Sequence, residues 1–134
     1  MYLQSLKAGL LYFLVVFVAG CALGALRILV VAPHIGELWA TLIEVPIILA
    51  VSWFAASWAV RMFLLWDEPD PRFLMGAVAL ALLLVAELLL SILALHRSVE
   101  EHFMAYLSLP GAIGLAAQLL YALIPAIQRW VRRA

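Results

Sequence analysis

Four long apolar stretches, separated by short polar connections, constrain this chain more than any other feature. The first runs from about Ala8 to Ala32 and is closed by Pro33. The second runs from about Leu38 to Trp66, ahead of the turn-forming Asp67-Glu68-Pro69-Asp70-Pro71. The third extends from about Phe73 to Leu95, and the fourth from about Tyr106 to Trp130. Each reaches the roughly 20 residues that an α-helix needs to cross the hydrocarbon layer. Leu, Ala and Val dominate and period-two alternation is absent, so the stretches read as helices and not as barrel strands. With 69% of its 134 residues hydrophobic and 12% charged, the chain carries more apolar surface than a soluble domain can hide. The expected fold is an all-α membrane protein, a single antiparallel four-helix transmembrane bundle spanning residues 1–134. A formal net charge of zero leaves no basic footprint, so nucleic acid is excluded as a partner and the lipid bilayer is the expected surrounding.

Basic residues near the span ends set the expected orientation. With the N-terminus inside, Lys7, Arg61, Arg72, Arg129, Arg132 and Arg133 lie on the inner side, and Arg27 and Arg97 on the outer, six against two. This bias predicts both termini in the cytoplasm. Trp39 and Tyr106 then mark the outer interface, and Trp66 and Trp130 the inner one. Val18-Ala19-Gly20-Cys21 has the small-residue form of a lipoprotein cleavage box, but the apolar run continues to Val31, longer than a signal core. Cys21 is therefore expected to be a buried thiol packed as a small hydrophobe.

Arg27, Glu44 and Glu87 interrupt the apolar runs. Counted from the outer span ends at ~1.5 Å per residue, they lie ~9, ~9 and ~12 Å deep, in one stratum. An unpaired charge costs about 2.5–3.5 kcal/mol near a helix centre, so the three are expected to face inward and meet, the structural reading being an ion pair of Arg27 with Glu44 and a Glu87 that is protonated or hydrogen-bonded. Gln118, ~18 Å from the outer end of the fourth span, is a candidate floor for this pocket. Glu37 and Arg97 are expected at its outer mouth. Gly20 and Gly24 precede Arg27 with small-xxx-small spacing and are expected to let a neighbouring helix approach closely. Pro46, two residues after Glu44, predicts a kink that frees the Leu42 carbonyl. Pro125 reads as a mild bend in the fourth span, and Pro110-Gly111 as its start.

The three histidines fall in the outer connections. His34, His96, Glu100 and His102 combine imidazole and carboxylate, a donor set that suits zinc or another borderline divalent ion, although the spacing matches no metal motif. His96 and Glu100 share a face only if that segment is helical. Trp53 and Trp58 sit mid-span, and core packing is expected for at least one of them. The other is free to dock on a partner helix.

Taken together, Gly24-Ala25-Leu26-Arg27-Ile28-Leu29, Ala32-Pro33, Gly36-Glu37 and Glu44-Val45-Pro46 resemble a family of small bacterial four-span proteins that carries no assigned activity. The resemblance covers mainly the first two helices. It implies a bacterial inner (plasma) membrane protein and supplies no substrate. Small multidrug transporters are similar in size, but their key glutamate belongs in the first span, where this chain has Arg27.

Three functions follow from these features. The first is a non-catalytic accessory or assembly protein, working as a homo-oligomer or with a larger membrane-protein partner, whose buried charges specify helix arrangement. The second is an oligomeric proton-coupled solute or ion transporter using Glu44 and Glu87. The third is a metal-dependent membrane enzyme built on the outer His and Glu residues. No serine or cysteine nucleophile stands beside a base, so no catalytic residue is assigned.

Overall fold

A computed structural model describes residues 2–65 and 69–133, with Trp66, Asp67 and Glu68 of the second connection outside the described residues. The side chains of Arg132 and Arg133, counted above toward the inner face, also lie outside them. The described residues are almost entirely helical. Helix α1 spans Tyr2–Leu26 and continues through a π-helical turn, Arg27–Val31, into the short α2, Ala32–Ile35. After α3 (Glu37–Met62) and α4 (Pro69–Leu93) comes the short α5 (Val99–Met104), a 3-10 turn at Ala105–Leu107, and α6 (Leu109–Arg133). Four segments, Tyr2–Ile35, Glu37–Met62, Pro69–Leu93 and Leu109–Val131, are long and apolar enough to cross a membrane.

The first span does not end at Pro33. The ring of Pro33 has no N–H and would clash with a carbonyl one turn earlier in a regular α-helix. The chain widens just before it instead: the Ala32 N–H donates to the Arg27 carbonyl, five residues back, and Pro33 falls in the first turn of α2. A π turn of this kind inserts one extra residue, so the helix passes the proline without stopping. Gly36, at φ 87°, then makes the whole turn into α3. Helix α3 continues unbroken through Pro46.

Consecutive long helices run antiparallel, but they are not arranged as a simple ring in chain order. Helix α1 packs against α3 and α4, and α6 packs against the same two, leaving α1/α6 and α3/α4 as diagonals. Packing is tight at the end that holds the termini. Ala8, Tyr12, Phe13 and Val16 of α1 meet Ala55, Ala56 and Ala59 of α3, Met75 and Ala79 of α4, and Tyr121 and Ile124 of α6. The alanines and glycines bring backbones together, as small residues do between membrane helices. A Cβ on Gly9 would lie 2.9 Å from the Met75 carbonyl oxygen, and one on Gly76 would collide with the Ala122 carbonyl.

This close approach was expected at Gly20 and Gly24, and it is not there. The nearest neighbours to a Cβ at those two positions are the tip of Ile48, at 4.0 Å, and Arg27 Nη2, at 3.9 Å. No residue of α1 beyond Val16, and none in the π turn or α2, is buried. Helix α1 is therefore tightly packed toward the termini and more open along its distal half, while Ala40, Thr41, Ser91 and Ala117 keep the distal half of the other three helices buried in part. Cys21 is correspondingly exposed on the outside of the bundle, not buried. Trp53 and Trp58 are both on the outer surface as well, because Ser52, Ala55, Ala56 and Ala59 occupy the core face of α3.

Candidate functional site

The ionisable groups of the spans form two pairs and not one knot. Arg27, the first residue of the π turn, directs Nε to Glu44 Oε2 at 2.6 Å and Nη1 to Glu37 Oε1 at 3.1 Å. Glu37 sits in the first turn of α3 and Glu44 two turns further along, so two residues of one helix clamp one guanidinium from the neighbouring helix. The Arg27 and Glu44 side chains are about three-quarters and four-fifths covered, whereas Glu37 is mostly exposed.

Glu87 belongs to the second pair. Gln118 Nε2 lies 2.6 and 2.7 Å from its two carboxylate oxygens, joining α4 to α6. No ion pair or hydrogen bond connects Glu87 to Arg27 or Glu44 among the described residues. Of the expected meeting of Arg27, Glu44 and Glu87, the contact of Arg27 with Glu44 forms, and Glu87 bonds to Gln118 instead, because α3 and α4 stand on a diagonal and the distal half of α1 packs loosely. Each charge takes a partner from an adjacent helix instead.

Arg97 forms no ion pair with the cluster among the described residues. Its side chain is exposed, and its backbone N–H donates to the Ser91 carbonyl at 3.0 Å, six residues back, with His96 left-handed at φ 55°. A left-handed residue just past the last helical turn ends the helix, here with a closing bond wider than the usual one. It breaks the segment between His96 and Glu100, so they do not share a continuous helical face. Helix α5 instead begins afresh at a capping box: the Ser98 side chain accepts from the Glu101 N–H, and the Glu101 side chain reaches back to the Ser98 N–H. The sequence Ser98-Val99-Glu100-Glu101 carries that signal.

The outer His and Glu residues are spread out. His34 lies on α2, exposed, with Nδ1 2.6 Å from the Val30 carbonyl oxygen. His102 is buried under α5, with Nε2 3.2 Å from the Tyr106 hydroxyl and its ring edge-on to Tyr106 and Phe103. Burial, with the nearby Arg97 charge second, holds His102 below the ordinary imidazole range. Burial, and after it the Glu87 carboxylate, raises the Tyr106 hydroxyl. Among the described residues, no group of three or more His, Cys, Asp or Glu side chains stands close enough to hold a metal.

Further polar contacts thread the tight half of the bundle, and sequence reasoning missed them. Tyr12 donates to the Tyr121 carbonyl at 2.6 Å, and Tyr121 donates to the Ala79 carbonyl at 3.3 Å. Gln128, almost fully buried, donates to the Trp53 carbonyl at 2.7 Å and to the Ser57 hydroxyl at 2.9 Å. Arg72, counted above toward the inner face, is also buried and donates to the Pro125 carbonyl at 2.9 Å. The signal for Tyr12 lay in the stripe Ser5, Ala8, Gly9, Tyr12, Val16, which has helical spacing and is buried throughout. Arg72 and Gln128 sit near span ends, where polar residues ordinarily face water, so their position alone does not mark them as interior.

A lateral cleft lies beside the first pair. Leu23, Leu26, Val31, Ala40, Ile43 and Ile47 line it together with Arg27 and Glu44. Leu26, Ile43 and Ile47 are exposed on the outer surface, so the cleft opens sideways. Compared with family models, with curated proteins and with solved structures, the chain finds no match.

Proposed function

We propose that this chain is a non-catalytic accessory or assembly protein of the bacterial plasma membrane, with both termini in the cytoplasm. The observation that supports this most is the pairing of the intramembrane charges: Arg27 with Glu37 and Glu44, and Glu87 with Gln118. Each pair ties two neighbouring helices, which suits charges that specify helix order and register. The outer surface fits the same role, since Trp53, Phe54 and Trp58 all project outward from α3. The partner in this reading is another copy or a larger membrane protein. The suggested kinship with small bacterial four-span proteins belongs to the same proposal. Crosslinking in native membranes, followed by purification in mild detergent, is the test. A stable oligomer or a co-purifying membrane protein is expected; a strict monomer with no partner overturns the reading.

A second reading rests on Glu87, whose hydrogen-bond partner is the neutral Gln118 and not a cation. As a proton-coupled carrier, an oligomer of this protein uses the Glu87 carboxyl to take up and release a proton. Vesicles containing the parent protein or Glu87→Gln distinguish the readings: a proton flux lost in the variant favours transport, and equal flux removes it.

A further inference from the structure

The lateral cleft between α1 and α3 has apolar walls and a charged head. Leu26, Ile43 and Ile47 open on the outside of the bundle, Arg27 and Glu44 stand partway along it with Val31 and Ala40 distal to them, and Glu37 meets Arg27 just outside the cleft. Helix α3 is 26 residues long. At ~1.5 Å per residue, Glu44 stands ~8 Å and Glu37 ~19 Å from its midpoint. A hydrocarbon layer of ~30 Å ends ~15 Å from its centre. Glu44 is therefore at acyl-chain depth and Glu37 at headgroup depth, with the Arg27 guanidinium between them.

The cluster keeps hydrogen-bonding capacity in reserve. Arg27 uses Nε and Nη1 on the two glutamates, while Nη2 has no acceptor among the described residues. Glu37 engages only Oε1, and its side chain is 66% exposed, so Oε2 remains available. One guanidinium and two carboxylates sum to a single negative charge, carried on the exposed Glu37. An acidic headgroup meets repulsion there. A headgroup with an inner phosphate and an outer ammonium matches the sequence of charges: phosphate oxygen on Nη2, ammonium on Glu37 Oε2, and an acyl chain down the leucine and isoleucine walls.

We propose that this cleft binds a zwitterionic phospholipid with a primary-ammonium headgroup, of the phosphatidylethanolamine class, from the leaflet at the distal end. Native mass spectrometry of the detergent-purified protein tests this, with equimolar phosphatidylethanolamine and phosphatidylglycerol of identical acyl chains. The ethanolamine lipid is expected in about three- to fivefold excess, the size of an exposed ion pair. Glu37→Gln, at a mostly exposed position, is expected to bring the ratio near one, and Ile47→Trp to lower retention of both lipids. Glu100→Gln, exposed on α5 and away from the cleft, is expected to keep the excess. Equal or greater retention of phosphatidylglycerol overturns the proposal, as does an ethanolamine excess that survives Glu37→Gln. A photoreactive residue at position 43 is expected to capture lipid; capture of a polypeptide instead shows that a partner helix fills the cleft, which also overturns it.

Discussion

The hydroxyl of Tyr12 donates to the carbonyl oxygen of Tyr121 at 2.6 Å, across a diagonal of the bundle whose two helices make no close backbone contact. In an α-helix that carbonyl accepts from the N–H four residues on. Here that residue is Pro125, which has no N–H. The tyrosine on α1 supplies the donor that the proline on α6 lacks, and the two rings stack with centroids 4.5 Å apart.

Tyr12→Phe keeps the stacked ring and removes the donor, leaving a buried carbonyl without its partner. A loss of about 1–3 kcal/mol is expected. Tyr12→Ala adds a cavity and should cost about 3–5 kcal/mol. Thermal unfolding in detergent, followed by circular dichroism, measures both. A Tyr12→Phe variant as stable as the parent would show that the Pro125 gap needs no filling.

Gly76→Ala places a methyl group against the Ala122 carbonyl, so α4 and α6 must separate. The expected cost is about 1–3 kcal/mol. Gly20→Ala and Gly114→Ala meet open space or ordinary contact and are expected to be neutral or slightly stabilising. The same unfolding assay separates the two groups. An equal loss at Gly20 would return the close approach to the distal half of α1.

His96 holds a left-handed backbone at the end of α4, with φ 55°. That conformation costs a side-chain-bearing residue about 1–2 kcal/mol relative to glycine. His96→Gly is therefore expected to raise stability by about 1 kcal/mol. A lower melting temperature would show that the imidazole makes a contact worth more than the strain.

His102 gives the distal cap a pH dependence. Burial first, and then Arg97, hold its folded-state value below the ordinary one of about 6.5. Between that depressed value and about 6.5 the opened cap binds more protons than the closed one, so its stability rises with pH through this window and falls in acid. Amide hydrogen exchange of α5 should be faster at pH 5 than at pH 7, after correction for the intrinsic rate. His102→Gln should flatten the difference; an unchanged pH response in that variant would assign it to another group.

Reading along the chain located the four spans because crossing a bilayer is a demand on composition alone, met residue by residue by Leu, Ala and Val. The same reasoning marked Arg27, Glu44 and Glu87 as residues that cannot be left facing lipid, with Gln118 a candidate beside them, and each is now seen with a polar partner. Depth and opposite charge were enough to suggest Arg27 with Glu44 and a hydrogen-bonded Glu87, whereas the separation of Glu87 from that pair was not legible, because the order of helices around the bundle cannot be counted along the chain. With α3 and α4 on a diagonal, Glu44 meets Arg27 and Glu87 meets Gln118. Pro33 and Pro125 carry the same lesson at shorter range. Each removes a backbone donor, a fact visible in the sequence. Only the folded chain decides the remedy, a widened π turn before the first and a tyrosine hydroxyl from another helix beside the second. Composition follows from the solvent, whereas pairing follows from which surfaces come close enough to touch.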